Sequence, residues 1–527
     1  MMKLYIADKI AKEGVEFLQQ HPGYEVDFSP GLDESAACEH IRDCDAVIVR
    51  SAIKIRGAIL AAGTRLKVIG RAGIGVDNID VETATERGIV VLNTPDANAT
   101  TTAELTIGHI LSLCRHLPAA DRSVRNGQWE RTRYMGAELA GKTLGIIGYG
   151  TIGRIVAARG LGLQMKVIAC DPFVTDDIYG KAGVEPRDLD SLLREADIVS
   201  LHCPVTEKTR GLINADRIKT MKPGARLVNC ARGDLVDETA LYDALVQGHL
   251  AGAALDVYVN EPPVNSPLLG LENVVLTPHL GASTREAQFA AGLEIARQVA
   301  IYLDTGEAIN AVNLPVMATE TVQKLRPYQA LAHKLGRLLA QMAAKPITQV
   351  EVCLLGKIAD YDTRPVAVSA LAGLLSEYLS IPVNQVNAVN LAHRQGINVT
   401  ESRSEETHGY LSMLSIKARQ GAETITVAGT LFDDRHPRLV GINHYPLEAP
   451  LDGNLLLTHH ADKPGVVGAI GNVLGQADIN ISHMQVGIAS DSDEAIAVLG
   501  ISRLLDDSSM AAIRAIPAIH KVLQVTV

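Results

Sequence analysis

Aromatic side chains and long apolar runs are both scarce in this chain of 527 residues. Phe, Tyr and Trp make up 4% of the sequence, with Trp129 as the one tryptophan, although hydrophobic residues reach 47%. Aliphatic residues must therefore form the cores, and the length predicts about three or four domains. Because no run of 18 or more apolar residues occurs, no membrane-spanning helix is expected. The opening MMKLYIADKI has charged residues inside its only apolar stretch, which argues against a signal peptide.

Cysteine pairs and blocks of positive charge are missing too. The seven cysteines are scattered and none forms a CxxC pair, which argues against a disulfide framework and against a zinc site. The net charge is −11 and no long basic block occurs, so nucleic acid and anionic membranes are poor partners. We expect a cytoplasmic protein that binds small molecules, carries no metal, and contacts neither nucleic acid nor membrane.

The first half of the chain has two α/β patterns. Residues 1–92 alternate short apolar strands with short helices, and a second alternation begins at KTLGIIGYG. This order predicts two Rossmann-like, doubly wound lobes with parallel sheets. Residues 98–125 predict one long helix that Asn98 opens and Pro118 interrupts, and Ser283 is the predicted N-cap of a later helix.

The second half of the chain divides into two further regions. NLPVM at 313–317 is a predicted linker, and residues 318–450 form a mixed α/β region without a recognisable chemical motif. In residues 454–527 the predicted order of elements is βαββαβ, which is the ferredoxin-like arrangement.

A dinucleotide-binding fingerprint opens the second α/β pattern. GIIGYGTIG places Gly148, Gly150 and Gly153 between an apolar strand and a helix, and Asp171 ends the next strand 18 residues later. The first glycine permits the tight turn, the second lets the backbone approach a pyrophosphate, and the third lets helix and strand pack closely. Asp171 can accept hydrogen bonds from both ribose hydroxyls and repels a 2′-phosphate, so we expect NAD in preference to NADP. The alternative interpretation of GIIGYGTIG is that it forms only a glycine-rich turn between packed elements.

Three polar residues follow three later strand ends: Arg232 in LVNCARG, Glu261 in LDVYVNEPP and His279 in NVVLTPH. In a doubly wound sheet such strand ends face the ligand. The three types suit oxidation of a 2-hydroxy acid, which loses its hydroxyl proton while a hydride leaves C2. We expect His279 to be the acid/base, Glu261 to orient its ring, and Arg232 to grip the substrate carboxylate. Taken singly, each is more often an ordinary polar residue; their order after the fingerprint favours the catalytic interpretation.

These stretches resemble the D-isomer-specific 2-hydroxyacid dehydrogenase family. The similarity covers residues 1–310 and includes GYGTIG, NCARGDLVDETAL, ALDVYVNEPP, TPHLGAST, GRAGIGVDNID and NTPDANATTTAELT. With its C-terminal extension, the whole chain resembles the long-form members of this family. Those enzymes oxidise D-3-phosphoglycerate to 3-phosphohydroxypyruvate in the first step of L-serine biosynthesis.

The resemblance also implies a division into lobes and domains. Residues 1–93 and 283–310 would form the substrate-binding lobe, and residues 94–282 the NAD-binding lobe. An intervening domain would follow at 315–450, with a regulatory ACT domain at 454–527.

Further site residues are implied by the same resemblance. Beside the fingerprint and Asp171, the implied NAD-binding residues are Thr151, Ile152, Cys230 and Asp256. Backbone amides at Ala72 and Gly73 would contact the substrate carboxylate. Arg50, Arg71 and Arg131 would bind the phosphate of the substrate. Arg131 and Trp129 would reach the active site of the neighbouring subunit in a dimer. We therefore expect a homo-oligomer, a tetramer or a dimer.

The stretch HHADKPGVVGAIGNVLGQADINI resembles an ACT domain, a module that binds amino acids between paired copies. The implied effector is L-serine, with its carboxylate at the helix start after Pro464. Its polar contacts would be His460, Asp462 and Asn480. The alternative is an oligomerisation module without a ligand.

For the whole chain, two other functions stay open: a dehydrogenase of an unphosphorylated 2-hydroxy acid, and a nucleotide-sensing corepressor.

Overall fold

The computed structural model describes residues 1–315, 319–406, 409–489 and 493–527. The chain divides into two compact units. The first comprises Met1–Ile79 and Leu92–Asn310, and the second comprises Asp80–Val91 and Ala311–Val527. Of the predicted linker at 313–317, residues 316 and 317 lie outside the described part of the chain.

The first sheet is built from the short apolar strands that the alternation in residues 1–92 predicts. The strands are β1 (Met2–Ile6), β2 (Tyr24–Phe28), β3 (Ala46–Val49), β4 (Val68–Arg71) and β5 (Val90–Leu92). The helices between them are α1 (Lys12–Gln19), α2 (Glu34–Ile41), α3 (Gly57–Ala62) and α4 (Val81–Glu86). The strand order is β2-β1-β3-β4-β5, and the pairs among β1 to β4 are parallel. Helix α4 and the first two residues of β5 fall in the second unit.

The second sheet carries the fingerprint. Helices α5 (Ala99–Arg115) and α6 (Leu117–Arg125) lead to its strands, which are β6 (Thr143–Ile147), β7 (Lys166–Cys170), β8 (Glu185–Pro186), β9 (Ile198–Leu201), β10 (Ala225–Asn229), β11 (Leu250–Leu255) and β12 (Val274–Leu276). The intervening helices are α7 (Thr151–Gly162), α8 (Asp176–Lys181), α9 (Leu189–Glu195), α10 (Ala215–Thr220) and α11 (Glu238–Val246). The order β12-β11-β10-β9-β6-β7-β8 is parallel throughout, which confirms the doubly wound prediction. It reverses between β6 and β9, where such sheets bind ligands.

Helix α12 (Arg285–Thr305) brings the chain back to the first sheet. It packs over Gly70 of β4, where a Cβ atom would lie 2.7 Å from the side chain of Val299. Tyr24 fixes its far end by donating its hydroxyl proton to Asp304 at 2.7 Å. The first and second sheets are thus joined by two crossings of the chain.

Asp and Asn side chains begin many of the helices. Each accepts a hydrogen bond from a backbone N–H of the first turn, as is usual for an N-cap; the residues are Asp33, Asp80, Asp188, Asn214 and Asp237.

Two predicted helix boundaries are wrong. The helix at 98–125 breaks at His116, which has a left-handed φ of 55°, and not at Pro118. Pro118 instead lies in the first turn of α6, where its missing N–H costs no hydrogen bond. Thr284 and not Ser283 caps α12, because the Thr284 hydroxyl accepts from the backbone N–H of Ala287 at 3.2 Å.

The second unit begins with the mixed α/β region. Its elements are α13 (Thr319–Met342), β13 (Gln349–Gly356), α14 (Arg364–Ser376), α15 (Ala388–Arg394), β14 (Asn398–Ser404), β15 (Ser412–Gln420), β16 (Glu423–Phe432), β17 (His436–Ile442) and β18 (Tyr445–Pro450). The sheet order is β14-β13-β15-β16-β17-β18, antiparallel except for the β13–β14 pair. Helices α13 and α14 cross closely at Gly336 and Gly373, where a Cβ atom would lie 2.1 and 2.0 Å from the facing backbone carbonyl oxygens.

The last region has the order βαββαβ, as its sequence predicts. Its elements are β19 (Asn454–Ala461), α16 (Val466–Gln476), β20 (Ile481–Ile488), β21 (Glu494–Ile501), α17 (Asp507–Arg514) and β22 (Ile519–Thr526). They form an antiparallel sheet in the order β20-β21-β19-β22. One face of this sheet packs its aliphatic side chains against α16 and α17.

Candidate active site

The glycine-rich turn after β6 has the shape that a dinucleotide requires. Gly148 has a φ of 95°, and a Cβ atom there would lie 2.6 Å from the backbone that follows β9. A Cβ atom on Gly153 would lie 2.1 Å from the carbonyl oxygen of Gly148, so this residue permits close packing of helix on turn. Gly150 is different, because nothing lies within 4 Å of its added Cβ. The open space beside it faces the first amides of α7, those of Thr151 and Ile152, and suits a pyrophosphate.

Asp171 follows β7 and has a fixed carboxylate. Its Oδ2 atom accepts the backbone N–H of Tyr149 at 2.8 Å, and its Oδ1 atom accepts that of Phe173 at 2.9 Å. The negative charge is thereby held beside the glycine-rich turn. A ribose with free hydroxyls fits this position, whereas a 2′-phosphate would meet like charge.

His279 and Glu261 are in direct contact. The Nδ1 atom of His279 lies 2.8 Å from Oε2 of Glu261, while Oε1 of Glu261 accepts the backbone N–H of Tyr258 at 3.1 Å. Burial alone would raise the pKa of Glu261, but the hydrogen bond and charge of His279 outweigh it and lower that pKa. Because a carboxylate only accepts, Nδ1 carries a proton and Nε2 is the nitrogen left for proton exchange. The His279 side chain is 52% exposed, so a substrate can reach it.

Asp256 organises the loop that carries His279. It is fully buried, and its carboxylate accepts the hydroxyl of Thr277 at 2.6 Å. It also accepts the backbone N–H groups of Leu280 at 2.7 Å and Gly281 at 2.8 Å. His279 itself has a φ of 53°, a left-handed conformation that residues other than glycine rarely adopt. The predicted cofactor residue Asp256 therefore also holds a strained loop in place.

Arg232 lies across from this pair on the loop after β10. Its Nε atom donates to Asp77 at 2.8 Å, and its backbone carbonyl accepts from the side-chain amide of Asn229 at 2.8 Å. A Cβ atom on Gly75 would lie 1.6 Å from Nη2 of Arg232, so a larger residue there would displace the guanidinium from this position. GRAGIGVDNID thus forms the surface against which Arg232 lies.

Arg71 and Arg50 add positive charge beside Arg232. The Nε atom of Arg71 donates to the backbone carbonyl of Arg50 at 3.1 Å. Burial lowers the pKa of Arg71 to about 10, and the nearby charges of Arg232 and Arg50 contribute to that lowering. Since like charges repel in a half-buried position, this cluster favours an anion that would neutralise it. Gly73, with a φ of 145°, permits the close approach of the Arg71 guanidinium.

A cleft of about 520 Å³ opens beside the arginines. Arg50, Ala72 and Gly73 line it as the sequence predicts, together with residues that were not predicted, namely Lys9, Asn98, Arg285 and Gln288. Asn98 is 9% exposed, and its Oδ1 atom has no hydrogen-bond partner among the described residues. Such a buried acceptor is costly unless a ligand donates to it. Lys9 follows β1 by three residues, as Arg232 follows β10, so the strand-end rule could have identified it, whereas Arg285 is the first residue of α12 and lies outside that rule.

Two further residues near the cofactor side were also not predicted. His202 and Cys203 follow β9, at the edge of the sheet where its order reverses, and the His202 ring nitrogen Nε2 lies 2.8 Å from the Ser200 hydroxyl. SLHCP could have been singled out by the rule that identified Arg232, since it too follows a strand end. The predicted Cys230 is buried in this region, and burial raises the pKa of its thiol to about 12.

Arg131 is not brought to this cluster within one chain. It lies exposed in the segment between α6 and β6, close in sequence to Trp129, which is 79% exposed. Arg131 is not among the residues that line the cleft beside Arg50.

The candidate effector residues differ in accessibility. His460 is 2% exposed and lies within β19, with Nδ1 3.2 Å from the hydroxyl of Thr458. Asp462 and Asn480 are exposed. Gly465, with a φ of 92°, begins α16 beside them. A ligand can therefore reach Asp462 and Asn480 in this conformation but not the ring of His460.

The described ranges contain neither a metal-binding group of side chains nor a membrane-spanning helix. No group of three His, Cys, Asp or Glu side chains is arranged to hold a metal ion in these ranges. Within the same ranges, no helix combines the length and the apolar character needed to cross a bilayer.

Known families match most of the chain in three blocks. Residues 107–281 match the D-isomer specific 2-hydroxyacid dehydrogenase, NAD binding domain. Residues 324–443 match the D-3-phosphoglycerate dehydrogenase intervening domain, and residues 454–518 match the ACT domain.

Similar proteins of nearly the same length occur in distant organisms. D-3-phosphoglycerate dehydrogenase of Synechocystis sp. is 40% identical over 99% of this chain and 94% of its own length. The enzymes of that name from Bacillus subtilis and Methanocaldococcus jannaschii are 39% and 40% identical, each over 99% of both chains.

Solved structures resemble the dehydrogenase part. The TT0316 protein of Thermus thermophilus is 34% identical with a TM-score of 0.55, covering 59% of this chain and all of that one. D-lactate dehydrogenase of Aquifex aeolicus, solved with NAD and lactic acid, is 29% identical with a TM-score of 0.53, covering 60% of this chain and all of that one.

Proposed function

Since the chain belongs to the D-3-phosphoglycerate dehydrogenase family of D-isomer-specific 2-hydroxyacid dehydrogenases, we propose that it oxidises D-3-phosphoglycerate to 3-phosphohydroxypyruvate with NAD. The family resemblance inferred from the motifs is confirmed. The proposed reaction is the first step of L-serine biosynthesis. The observation that carries the catalytic assignment is the His279–Glu261 contact at the end of β12, with Arg232 across from it.

The side chains perform the proton transfer and the positioning. Nε2 of His279 accepts the C2 hydroxyl proton, because Glu261 keeps Nδ1 protonated and holds the ring. Glu261 then stabilises the positive charge that the ring acquires. Arg232 binds the substrate carboxylate through its guanidinium and turns C2 toward the cofactor side. When bound, the nicotinamide accepts the hydride that leaves C2.

The cation cluster specifies a phosphorylated substrate. Arg50 and Arg71, with Lys9 and Arg285 on the other walls of the cleft, bind the phosphate. Ala72 and Gly73 line the cleft, but their N–H groups donate to the carbonyls of Val49 at 2.8 Å and Arg71 at 2.9 Å, so these bonds would have to open for the amides to bind the carboxylate. Asn98 accepts a hydrogen bond from a substrate hydroxyl. Arg131 acts from a second copy of the chain, which makes the active assembly a homo-oligomer, a dimer or a tetramer.

The cofactor preference rests on Asp171. The fingerprint glycines, Thr151 and Ile152 hold the pyrophosphate, and Cys230 and Asp256 lie on the nicotinamide side. Because the Asp171 carboxylate is fixed by two backbone N–H groups, it accepts the ribose hydroxyls and rejects a 2′-phosphate. The nicotinamide cofactor is therefore NAD and not NADP.

The ACT domain binds L-serine in this proposal, with Asp462 and Asn480 as the accessible polar contacts.

The domain boundaries are those that the family implies: a substrate-binding lobe of residues 1–93 and 283–310, an NAD-binding lobe of 94–282, an intervening domain at 315–450 and the ACT domain at 454–527. All seven cysteines are free, which supports a reducing, cytoplasmic compartment.

The test is an assay of the purified full chain with four pairs of reactants. NAD and NADP are each combined with D-3-phosphoglycerate and with D-lactate, and the formation of reduced cofactor is followed by absorbance. We expect turnover of the phosphorylated substrate with NAD to exceed the other three combinations by at least about tenfold, the effect of one lost charge-assisted bond. Equal turnover of D-lactate would indicate an unphosphorylated substrate. No turnover with any pair would favour a sensing role.

A further inference from the structure

Helix α5 carries three buried polar side chains on one face. Thr102, Thr106 and His109 are four and three residues apart, a spacing that places them on the same side of a helix. Each is at most 5% exposed. We call these three residues the polar seam of α5.

Each residue of the polar seam contacts a different segment of the candidate active site. The single hydroxyl proton of Thr102 has two backbone carbonyl acceptors, that of Gly281 at 2.9 Å and that of Asn98 in the preceding turn at 3.0 Å. The hydroxyl of Thr106 donates to the backbone carbonyl of Thr102 at 2.9 Å, and it lies near enough to the thiol of Cys230 to lower the pKa of that thiol against the larger effect of burial. The Nε2 atom of His109 lies 3.0 Å from the hydroxyl oxygen of Thr277. The helix therefore supports the loops after β10 and β12 from beneath.

The direction of the hydrogen bonds at His109 is determined by its neighbours. Thr277 has one hydroxyl proton, and it donates this proton to Oδ1 of Asp256 at 2.6 Å. His109 must therefore donate from Nε2 to Thr277, which fixes the proton on that nitrogen. Burial lowers the pKa of His109, and the negative charge of Asp256 opposes that shift. The ring is thus a neutral donor at ordinary pH.

Asp256 transmits this support to the catalytic loop. Its two oxygens accept the backbone N–H groups of Leu280 and Gly281, which follow the strained residue His279 on its C-terminal side. A left-handed residue other than glycine is strained and persists only where its surroundings over-determine it. The polar seam and Asp256 supply those surroundings, because their bonds hold the loop on both sides of the strained residue.

We propose that His109 is a positioning residue: through Thr277 and Asp256 it holds the left-handed conformation of His279 that presents Nε2 to the substrate. The catalytic part of this inference rests on the proposed function, whereas the loop conformation is measurable without any substrate. An apolar residue at position 109 would pack in the helix without a polar group to bury. The hydrogen bond to Thr277 explains why a histidine lies there.

The test replaces the donor and then restores it. His109→Leu keeps an apolar side chain in the space but removes the donor. We expect its kcat with D-3-phosphoglycerate to fall about three- to tenfold, the effect of one neutral hydrogen bond, while KM for NAD changes less than about twofold. Hydrogen exchange of the apo full chain should show faster exchange in the peptide that contains Leu280 and Gly281. His109→Gln, whose side-chain amide can donate to Thr277, should restore both readouts.

Two controls separate positioning from general destabilisation. Ile110→Ala removes a fully buried side chain from the next position of α5 and should lower the melting temperature without lowering kcat. Thr277→Val and Thr277→Ser repeat the comparison from the other partner: the valine variant should lose kcat and protection, and the serine variant should retain them.

Several results would overturn the proposal. Unchanged exchange and kcat in His109→Leu would show that the bond does not hold the loop. Equal losses in His109→Leu, His109→Gln and Ile110→Ala would reduce His109 to a packing residue. If the wild-type protein oxidised no D-3-phosphoglycerate but the exchange pattern responded as expected, the proposed function would fail and the positioning of the loop would stand.

Discussion

The candidate active site of the first unit and the helix start of the ACT domain hold their candidate side chains in different ways. In the candidate active site, His279 contacts Glu261 and Arg232 contacts Asp77, and their loops are fixed by the buried Asp256 carboxylate and the Asn229 amide. In the ACT domain, Asp462 and Asn480 are exposed, and the hydrogen bonds at these residues involve their backbone groups: Asp462 N–H to Asp493 at 2.7 Å and Asn480 N–H to Ser502 at 3.1 Å.

The difference follows from what each site must do. Proton and hydride transfer require groups that are fixed before the substrate arrives, since a misplacement of about 1 Å can cost two orders of magnitude in rate. An effector has to bind one arrangement of the protein only slightly better than another. Side chains that become ordered upon binding are sufficient for that purpose. The four predictions below test this contrast, from the largest expected effect to the smallest.

The largest effect is expected in the fixed site. His279→Ala should lower kcat by about two to four orders of magnitude, the usual contribution of a general acid/base. NAD affinity, measured by calorimetry, should stay within about twofold of wild type, because the glycine-rich turn is untouched. The kcat of Glu261→Gln should lie between that of His279→Ala and that of the wild type, since the amide still contacts the ring but lacks the charge. Near-normal turnover of His279→Ala would remove this residue from the mechanism.

A smaller effect is expected at the phosphate position. Arg50→Ala removes a side chain from the cleft but keeps the backbone N–H bond to Asp8. We expect KM for D-3-phosphoglycerate to rise about ten- to hundredfold, the value of a charge-assisted hydrogen bond. Lys54→Ala, an exposed cation of the same lobe, is the matched control and should leave KM unchanged. If both variants raised KM equally, the charge would act by general steering and not by contact.

The cofactor position should respond by about tenfold. Asp171→Ala removes the carboxylate that Tyr149 and Phe173 fix, so the preference for NAD over NADP should fall by about that factor. The ratio of kcat/KM for the two cofactors is the measurement. Asp176→Ala, which lies in the first turn of α8, controls for a nearby change of charge. Equal use of both cofactors by the wild-type enzyme would contradict the role given to Asp171.

The smallest effect is expected at the ACT domain. L-serine should inhibit the wild-type enzyme by about five- to tenfold, within the usual coupling of 1–3 kcal/mol. Asn480→Ala should abolish the inhibition and leave the uninhibited rate unchanged. By reciprocity, NAD or substrate must change the serine affinity by the same factor that serine changes theirs. Asp478→Ala, at an exposed position two residues away, is the control. Calorimetry that detects no serine binding to the full chain would make the domain purely structural.

The polar seam of α5 shows that the difference between the candidate active site and the ACT domain also involves buried residues. A buried polar residue costs free energy unless its hydrogen bonds are made, so three of them in one helix indicate a constraint beyond packing. Their partners lie on the loops after β10 and β12. Near Asp462 the buried polar residues are a pair within one strand, Thr458 and His460, whose hydroxyl oxygen and Nδ1 atom lie 3.2 Å apart.

Particular residues show how far the sequence could be interpreted. The strand-end rule identified Arg232, Glu261 and His279, and the structure brings Glu261 and His279 into contact. The same rule missed His202, because a strand-end histidine was given weight only where other polar groups accompanied it. It also missed Lys9, which follows β1 by three residues. Arg285 was out of reach, since it begins α12 and joins Lys9 on one cleft only in the folded chain.

The amino-acid sequence by itself determined the order of the elements, the two parallel sheets, the βαββαβ module and the position of the glycine-rich turn. These follow from local periodicity and from glycines whose backbone requirements are local. Only the tertiary structure decided that the helix at 98–125 breaks at His116, that His460 is buried, and that His109 supports the loop of His279 through Thr277 and Asp256. Each of these depends on groups distant in sequence. Whether a polar side chain faces solvent, a ligand or a buried partner is determined by what packs against it, and no local pattern records that.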